Sequence, residues 1–94
     1  MEALKDEYKR LINVVLPSTY SEPISNNHCF IRVILDWLFN DCWYHHLSRK
    51  QTAISQLSDE QLRQAIERMK QWLNDQQLLI EDNNSSIKYR KTKD

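Results

Sequence analysis

Asn26-Asn-His-Cys-Phe-Ile-Arg-Val-Ile-Leu-Asp-Trp-Leu-Phe-Asn-Asp-Cys-Trp-Tyr-His-His-Leu47 decides the fold. The stretch holds all three histidines, both cysteines and two of the three tryptophans. Asn26 or Asn27 suits a helix N-cap. From there Phe30, Ile31, Val33, Ile34, Leu35, Trp37, Leu38 and Phe39 cover most of a helical circumference. Only Cys29, Arg32, Asp36 and Asn40 share a narrow polar line. A helix apolar on most of its surface is wrapped by its neighbours. The spacing therefore predicts a central helix over 28–47, with Asn40-Asp41 as a point of interruption where Asp41 re-caps a second piece.

Towards the N-terminus, Leu4, Tyr8, Leu11, Ile12 and Val15 form one apolar stripe, which predicts a helix over 2–16 ended by Pro17. Residues 17–27 read as a connector that Tyr20 and Ile24 pin to the core. Towards the C-terminus, residues 51–57 predict a short helix or ordered turn. Ser58-Asp-Glu-Gln61 is a capping box, stapled by Leu57 and Leu62. It opens a helix over 58–75 with Leu62, Ala65, Ile66, Met69, Trp72 and Leu73 on its inner face. Asn83-Asn-Ser-Ser86 is turn chemistry, and Ile87 and Tyr89 alternate with Lys88 and Arg90, which predicts a β-hairpin over 77–91. The alternative for this segment is a helix running past Leu79, followed by a basic tail. The expected fold class is thus a mainly α, small helical domain with a C-terminal β-hairpin. It is one domain over 1–94: N-terminal helix 1–16, connector 17–27, core 28–91 and tail 92–94.

Ninety-four residues, 40% of them hydrophobic, suffice for one core and leave no length for a separate catalytic domain. Formal net charge is zero, so no global charge selects a nucleic-acid or membrane partner. Complete absence of glycine excludes the glycine-rich phosphate loops of nucleotide-binding folds. No apolar run is long enough for a membrane span and no signal-peptide pattern opens the chain, so a cytoplasmic protein without a membrane partner is expected. Two cysteines do not make a secreted disulfide framework.

Cys29 and Cys42 would stand about 20 Å apart on a continuous helix, too far for one disulfide or one metal site. The scarce residues therefore divide into two groups. His28, Cys29, Arg32 and Asp36 sit at the helix start, where exposed N–H groups and the dipole favour a thiolate. Arg32 adds positive charge and Asp36 is placed to orient it, so these four are the ligand-binding candidates. The plain alternative is a solvent-facing Arg–Asp pair beside a semi-buried cysteine. The second group, Cys42, His45 and His46 with Asp41, has i+3 and i+4 spacing for two metal ligands and still lacks a third for zinc or another transition metal. Core Cys42 with boundary histidines is the competing reading. No catalytic residue is assigned, because consecutive residues on one helix do not reach the in-line geometry of a thiol triad and no oxyanion loop is evident.

The order of central helix, short element, capped helix 58–75 and basic hairpin resembles a winged-helix DNA-binding domain over residues 28–91. That resemblance rests on element order and implies contact through helix 58–75 and the hairpin, with Arg63, Lys70, Lys88, Arg90 and Lys91 as the contacting side chains; Trp43, near the polar line, is a separate candidate as an exposed anchor for a partner. The exposed face of 58–75 departs from it in mixing Glu60 and Glu67 with its basic residues. Winged helices also serve as protein-interaction modules. Asn27-His-Cys-Phe30 with Arg32 and Asp36, then Asp41-Cys-Trp-Tyr44, resembles small bacterial proteins of unassigned function, some labelled acetyltransferase-like. That label does not fit a chain this short with no glycine for an acyl-CoA pyrophosphate loop. The resemblance singles out His28, Cys29, Arg32 and Asp36. A non-enzymatic binding module is therefore expected, taking a protein or nucleic-acid partner, or alternatively a metal or small ligand at the central helix. Whether a second copy of the chain is among its partners is left open.

Overall fold

The computed structural model describes residues 2–22 and 24–91, apart from the side chain of Glu2. Met1, Pro23 of the connector and the expected tail 92–94 lie outside the described residues. Helix α1 occupies residues 2–19 and does not stop at Pro17. Glu2–Arg10 is α-helical, Leu11–Val15 opens into a π-helical turn, and Leu16–Thr19 is α-helical again. Proline lacks an N–H and crowds the carbonyl four residues back. Widening the preceding turn relieves that crowding, and the Leu16 N–H reaches back to the Leu11 carbonyl. The extra residue moves the buried face: Tyr8, Leu11, Ile12 and Leu16 are buried, whereas Val15 is only half-buried. Thr19 Oγ1 donates to the Val15 carbonyl at 2.7 Å as the helix ends.

The connector is held as expected from its apolar residues. Tyr20 and Ile24 pack on the core, the Tyr20 hydroxyl donates to the Trp72 carbonyl, and Gln76 Nε2 donates to the Glu22 carbonyl at 2.9 Å.

Helix α2, Asn27–Phe39, is capped by the Asn26 side chain, which accepts from the His28 N–H at 2.7 Å. Phe30, Val33, Ile34, Leu35 and Asp36 are all fully buried, which makes α2 the central helix. It ends at Phe39, not at 47. Asn40 adopts φ 57°, ψ 36°, in the left-handed region, the position glycine usually takes. The Asn40 N–H then reaches the Trp37 carbonyl (3.2 Å) and the Asp41 N–H reaches Asp36 (3.1 Å), the two bonds of a Schellman ending. Beyond it comes a single 3₁₀ turn, Trp43–His45, whose N-cap residue is Cys42 without a side-chain cap bond; Asp41 Oδ1 accepts from the Cys42 N–H at 2.7 Å just before it. A second 3₁₀ turn, Ile54–Gln56, leads into α3.

Helix α3, Asp59–Asn74, starts at the expected box: Gln61 N–H to Ser58 Oγ at 3.1 Å and Ser58 N–H to Gln61 Oε1 at 2.9 Å. Its buried face is Leu62, Ala65, Ile66, Met69 and Trp72. Asp75 alone, extended at φ −152°, separates it from α4, Gln76–Lys91.

Helix α4 overturns the expected hairpin; no strand occurs among the described residues. The wing that completed the winged-helix order is therefore missing from them. Asn, Ser and Asp weaken a helix because their side chains compete for backbone groups. Here the inward ones are occupied by tertiary partners instead. Leu79, Asp82, Asn83 and Ser86 are the buried residues, a helical 3-1-3 spacing written mostly in polar side chains. Asp82 accepts two bonds from Arg68 (2.8 and 2.9 Å) and one from Trp72 Nε1 (2.8 Å). Asn83 and Ser86 each accept from Arg32 at 2.8 Å. Ser86 Oγ donates to Asp36, on which Arg90 also closes. Lys88, Arg90 and Lys91 in the last turn oppose the negative end of the helix dipole.

Removing one partner of a buried ion pair costs about 3–5 kcal/mol, against about 0.5 kcal/mol for an exposed i,i+3 pair. In urea unfolding followed by circular dichroism, Asp36→Ala is expected to lose the larger amount and Arg10→Ala, which breaks the exposed bond to Glu7, the smaller. Equal small losses would show that Asp36 does not hold α4 in place.

Candidate functional site

The four candidates at the start of the central helix do not form one site. Asp36 is fully buried, and its carboxylate is saturated. Oδ1 accepts from the Trp43 backbone N–H (2.9 Å) and Arg90 Nη2 (3.2 Å), while Oδ2 accepts from Ser86 Oγ (2.5 Å) and Arg90 Nε (3.2 Å). Asp36 orients Ser86 and, through it, Arg32, with no direct Arg32–Asp36 pair. Cys29 is half-buried in the first turn of α2. Of the four, only His28 lies on a cleft described below.

The second group is also divided. Cys42 is buried in the interior. His45 Nδ1 and His46 Nε2 meet Asp41 Oδ2 at 3.0 and 3.3 Å on the exposed surface, and the His46 ring stacks on Phe39 at 4.8 Å. Among the described residues, no group of three or more His, Cys, Asp or Glu side chains could hold a metal ion. The His45 side chain, then the Cys42 backbone N–H, then His46, hold the Asp41 carboxylate down at about 2.

The basic candidates are partly engaged. Arg90 turns inward on Asp36, and its guanidinium lies 5.0 Å from the Tyr44 ring, against which Arg49 also lies at 4.4 Å. Arg63 is 3.9 Å from Glu60, and Lys70 is 3.8 Å from Glu7 of α1. Lys88 and Lys91 are exposed near the end of α4. A shallow groove of about 420 Å³ runs along the outer face of α3, between Trp37 and the side chains of Glu60, Arg63, Gln64, Glu67, Arg68 and Gln71. Arg68 lies over the Trp37 ring at 5.0 Å.

A second cleft, of about 380 Å³, is the more enclosed and the more apolar of the two. Tyr8, Lys9, Ile12 and Asn13 of α1 form one wall, and His28 and Ile31 of α2 form another. Trp43 and the segment Gln51–Ile54 complete it. That volume lies within the range of small-ligand pockets. The loop wall is held by one side chain. Gln56 Oε1 accepts from the Ser48 N–H (2.8 Å), and its Nε2 donates to the carbonyls of Ser48 (2.8 Å) and Thr52 (3.2 Å). On the opposite wall, Asn27 Nδ2 donates to Asn13 Oδ1 at 2.9 Å and ties α1 to the start of α2.

Tyr8 is 4% exposed, and its hydroxyl is a buried polar atom with no hydrogen-bond partner among the described residues. Burial pushes the phenol far above its ordinary value, so it remains a neutral hydroxyl at any physiological pH. Such an orphan costs about 1–3 kcal/mol. In the sequence Tyr8 looked like one more apolar-stripe residue. The signal available was its polar tip in an otherwise aliphatic row. No family model matches the chain, and neither a curated protein nor a solved structure is significantly similar to it.

Two measurements check this geometry. Because the folded-state value of Asp41 is depressed from the ordinary 3.8, its stabilising contribution is fully present above about pH 4 and is lost as the pH falls through 2. Carboxyl-detected NMR should place the Asp41 midpoint near 2, moving back towards 3.8 in His45→Ala. Thiol labelling should modify half-buried Cys29 well before buried Cys42; equal rates would contradict the burial of Cys42.

Proposed function

We propose that this chain is a small, non-enzymatic binding module whose ligand occupies the cleft between α1, the start of α2 and Gln51–Ile54. The observation that carries this is the enclosed, largely apolar cleft of about 380 Å³, whose wall includes Tyr8, a residue with a buried hydroxyl that has no partner among the described residues. Buried polar groups in folded proteins nearly always have partners, and exceptions cluster where function supplies one. Ile12, Ile31, Trp43 and Ile54 offer a ligand apolar contact, and Tyr8, Asn13, His28 and Thr52 offer it a few polar groups. That mixture is typical of small-molecule sites. An enzymatic role lacks equivalent support, since Asp36 is saturated and Cys42 is sealed in the interior. Two unpaired cysteines suit a reducing compartment such as the cytoplasm.

A second role, docking of a protein partner on the outer face of α3, draws support from the groove beside Trp37. Its alternating Glu60, Arg63, Glu67 and Arg68 suit a partner of mixed charge. A nucleic-acid partner is less well served, because Arg90 is spent on Asp36 and Arg63 and Lys70 stand beside carboxylates. Affinity for oligonucleotides falling steeply with added salt would favour nucleic acid over both.

Tyr8→Phe tests the cleft directly. Removing an unpartnered hydroxyl is expected to leave the unliganded protein as stable as before, or more stable by about 0.5–1 kcal/mol. The same variant should bind cleft-directed fragments several-fold more weakly, measured by methyl NMR titration at Ile12, Ile31 and Ile54. A loss of about 1 kcal/mol or more in unliganded stability would mean that the hydroxyl has a partner inside the protein, and the ligand role would lose its basis.

A further inference from the structure

Among the described residues, the walls of the cleft carry no carboxylate. Lys9 and His28 stand on two of its sides, and every other polar wall residue is a neutral hydroxyl or amide: Tyr8, Asn13, Gln51 and Thr52. Yet the chain as a whole is balanced, with 13 acidic and 13 basic residues, so a cleft with one sign only is a local arrangement. Several other cations are already paired: Arg10 with Glu7, Lys70 with Glu7, Arg63 with Glu60. Lys9 has no carboxylate partner among the described residues, although it neighbours Arg10 in sequence. It is exposed at the cleft edge, while the interior of the cleft is closed by Tyr8, Ile12, Ile31, Trp43 and Ile54.

A ligand matching these surfaces has an apolar body for the interior and a negative charge for the edge. We infer that the occupant is an arylalkyl carboxylate: an aromatic ring on a short chain that ends in one carboxylate. The ring would contact Trp43 and the three isoleucines, and the carboxylate would face Lys9 and His28. This inference rests on the small-ligand role proposed above and adds its charge and chemical class.

The full chain is titrated at neutral pH with 4-phenylbutyrate, 4-phenyl-1-butanol and 4-phenylbutylamine, with methyl and indole NMR signals of Ile12, Ile31, Ile54 and Trp43 as the readout. The carboxylate is expected to bind at least about fivefold more tightly than the alcohol, the size of one partly exposed charge contact. Lys9→Gln, which breaks no ion pair within the described residues, should reduce that advantage to about twofold or less. Equal binding of acid and alcohol at these signals, or tighter binding of the amine, overturns the anionic ligand and leaves the small-ligand role intact. An advantage of the acid that survives Lys9→Gln overturns the placing of its charge at Lys9. If none of the three probes moves these signals, both the anionic ligand and the small-ligand role fall.

Discussion

The fold depends on one carboxylate. Asp36 sits within the most apolar helix, has no contact with solvent, and gathers four donor groups from three residues in two separate parts of the chain. An isolated charge there would be prohibitive, and only the full set of partners makes it tolerable. Those partners are themselves the structure: the Trp43 N–H belongs to the turn after α2, and Ser86 and Arg90 belong to the last helix. Satisfying Asp36 therefore docks α4 and places Trp43 at the same time. Since Trp43 is a wall of the apolar cleft, the buried ion pair on one side of α2 helps to position the site on the other.

A second buried carboxylate repeats the pattern. Asp82 receives Arg68 and the Trp72 indole, which lock α4 to α3. The two helices share one extended residue, Asp75, as their connection, and these side-chain bonds act together with that short link in setting how they lie together. Polar docking of this kind is demanding: an apolar face tolerates small shifts, whereas a bidentate Arg–carboxylate pair accepts only one register. It offers a physical reason for one arrangement of α4, a helix with few apolar residues of its own, to be so strongly preferred.

What could be read from the sequence follows from how local each signal is. The Ser58–Gln61 box lies within four residues, and it names its helix start correctly. The wrapped character of α2 is visible in Phe30–Phe39 for the same reason. The break expected at Asn40-Asp41 is where the helix ends, but the expected span runs on to 47 because Asn40 does a glycine's work in a chain without glycine. Helix α4 was read as a hairpin because Asn83-Asn-Ser-Ser86 has strong turn chemistry in isolation. Its helical period is there, at 79, 82, 83, 86 and 90, but written mostly in Asp, Asn, Ser and Arg, whose partners are 10 to 54 residues away. The candidate cleft was illegible for a related reason. Its walls come from four stretches that nothing in the sequence links, and of the expected ligand residues only His28 reaches it.

The π-helical turn at Leu11–Val15 sets the phase of everything before it. One additional residue is stored in that turn, which lets Leu16 face the core in place of Val15 while Tyr8 and Lys9 keep to the cleft. Deleting any single residue between 11 and 15 would let the turn relax to an ordinary α-helix, and the first ten residues would then swing by about 100° about the helix axis. Pocket and core would no longer agree on which side of α1 belongs to each. The first helix is thus geared: its length is free to vary by whole turns, but not by one residue.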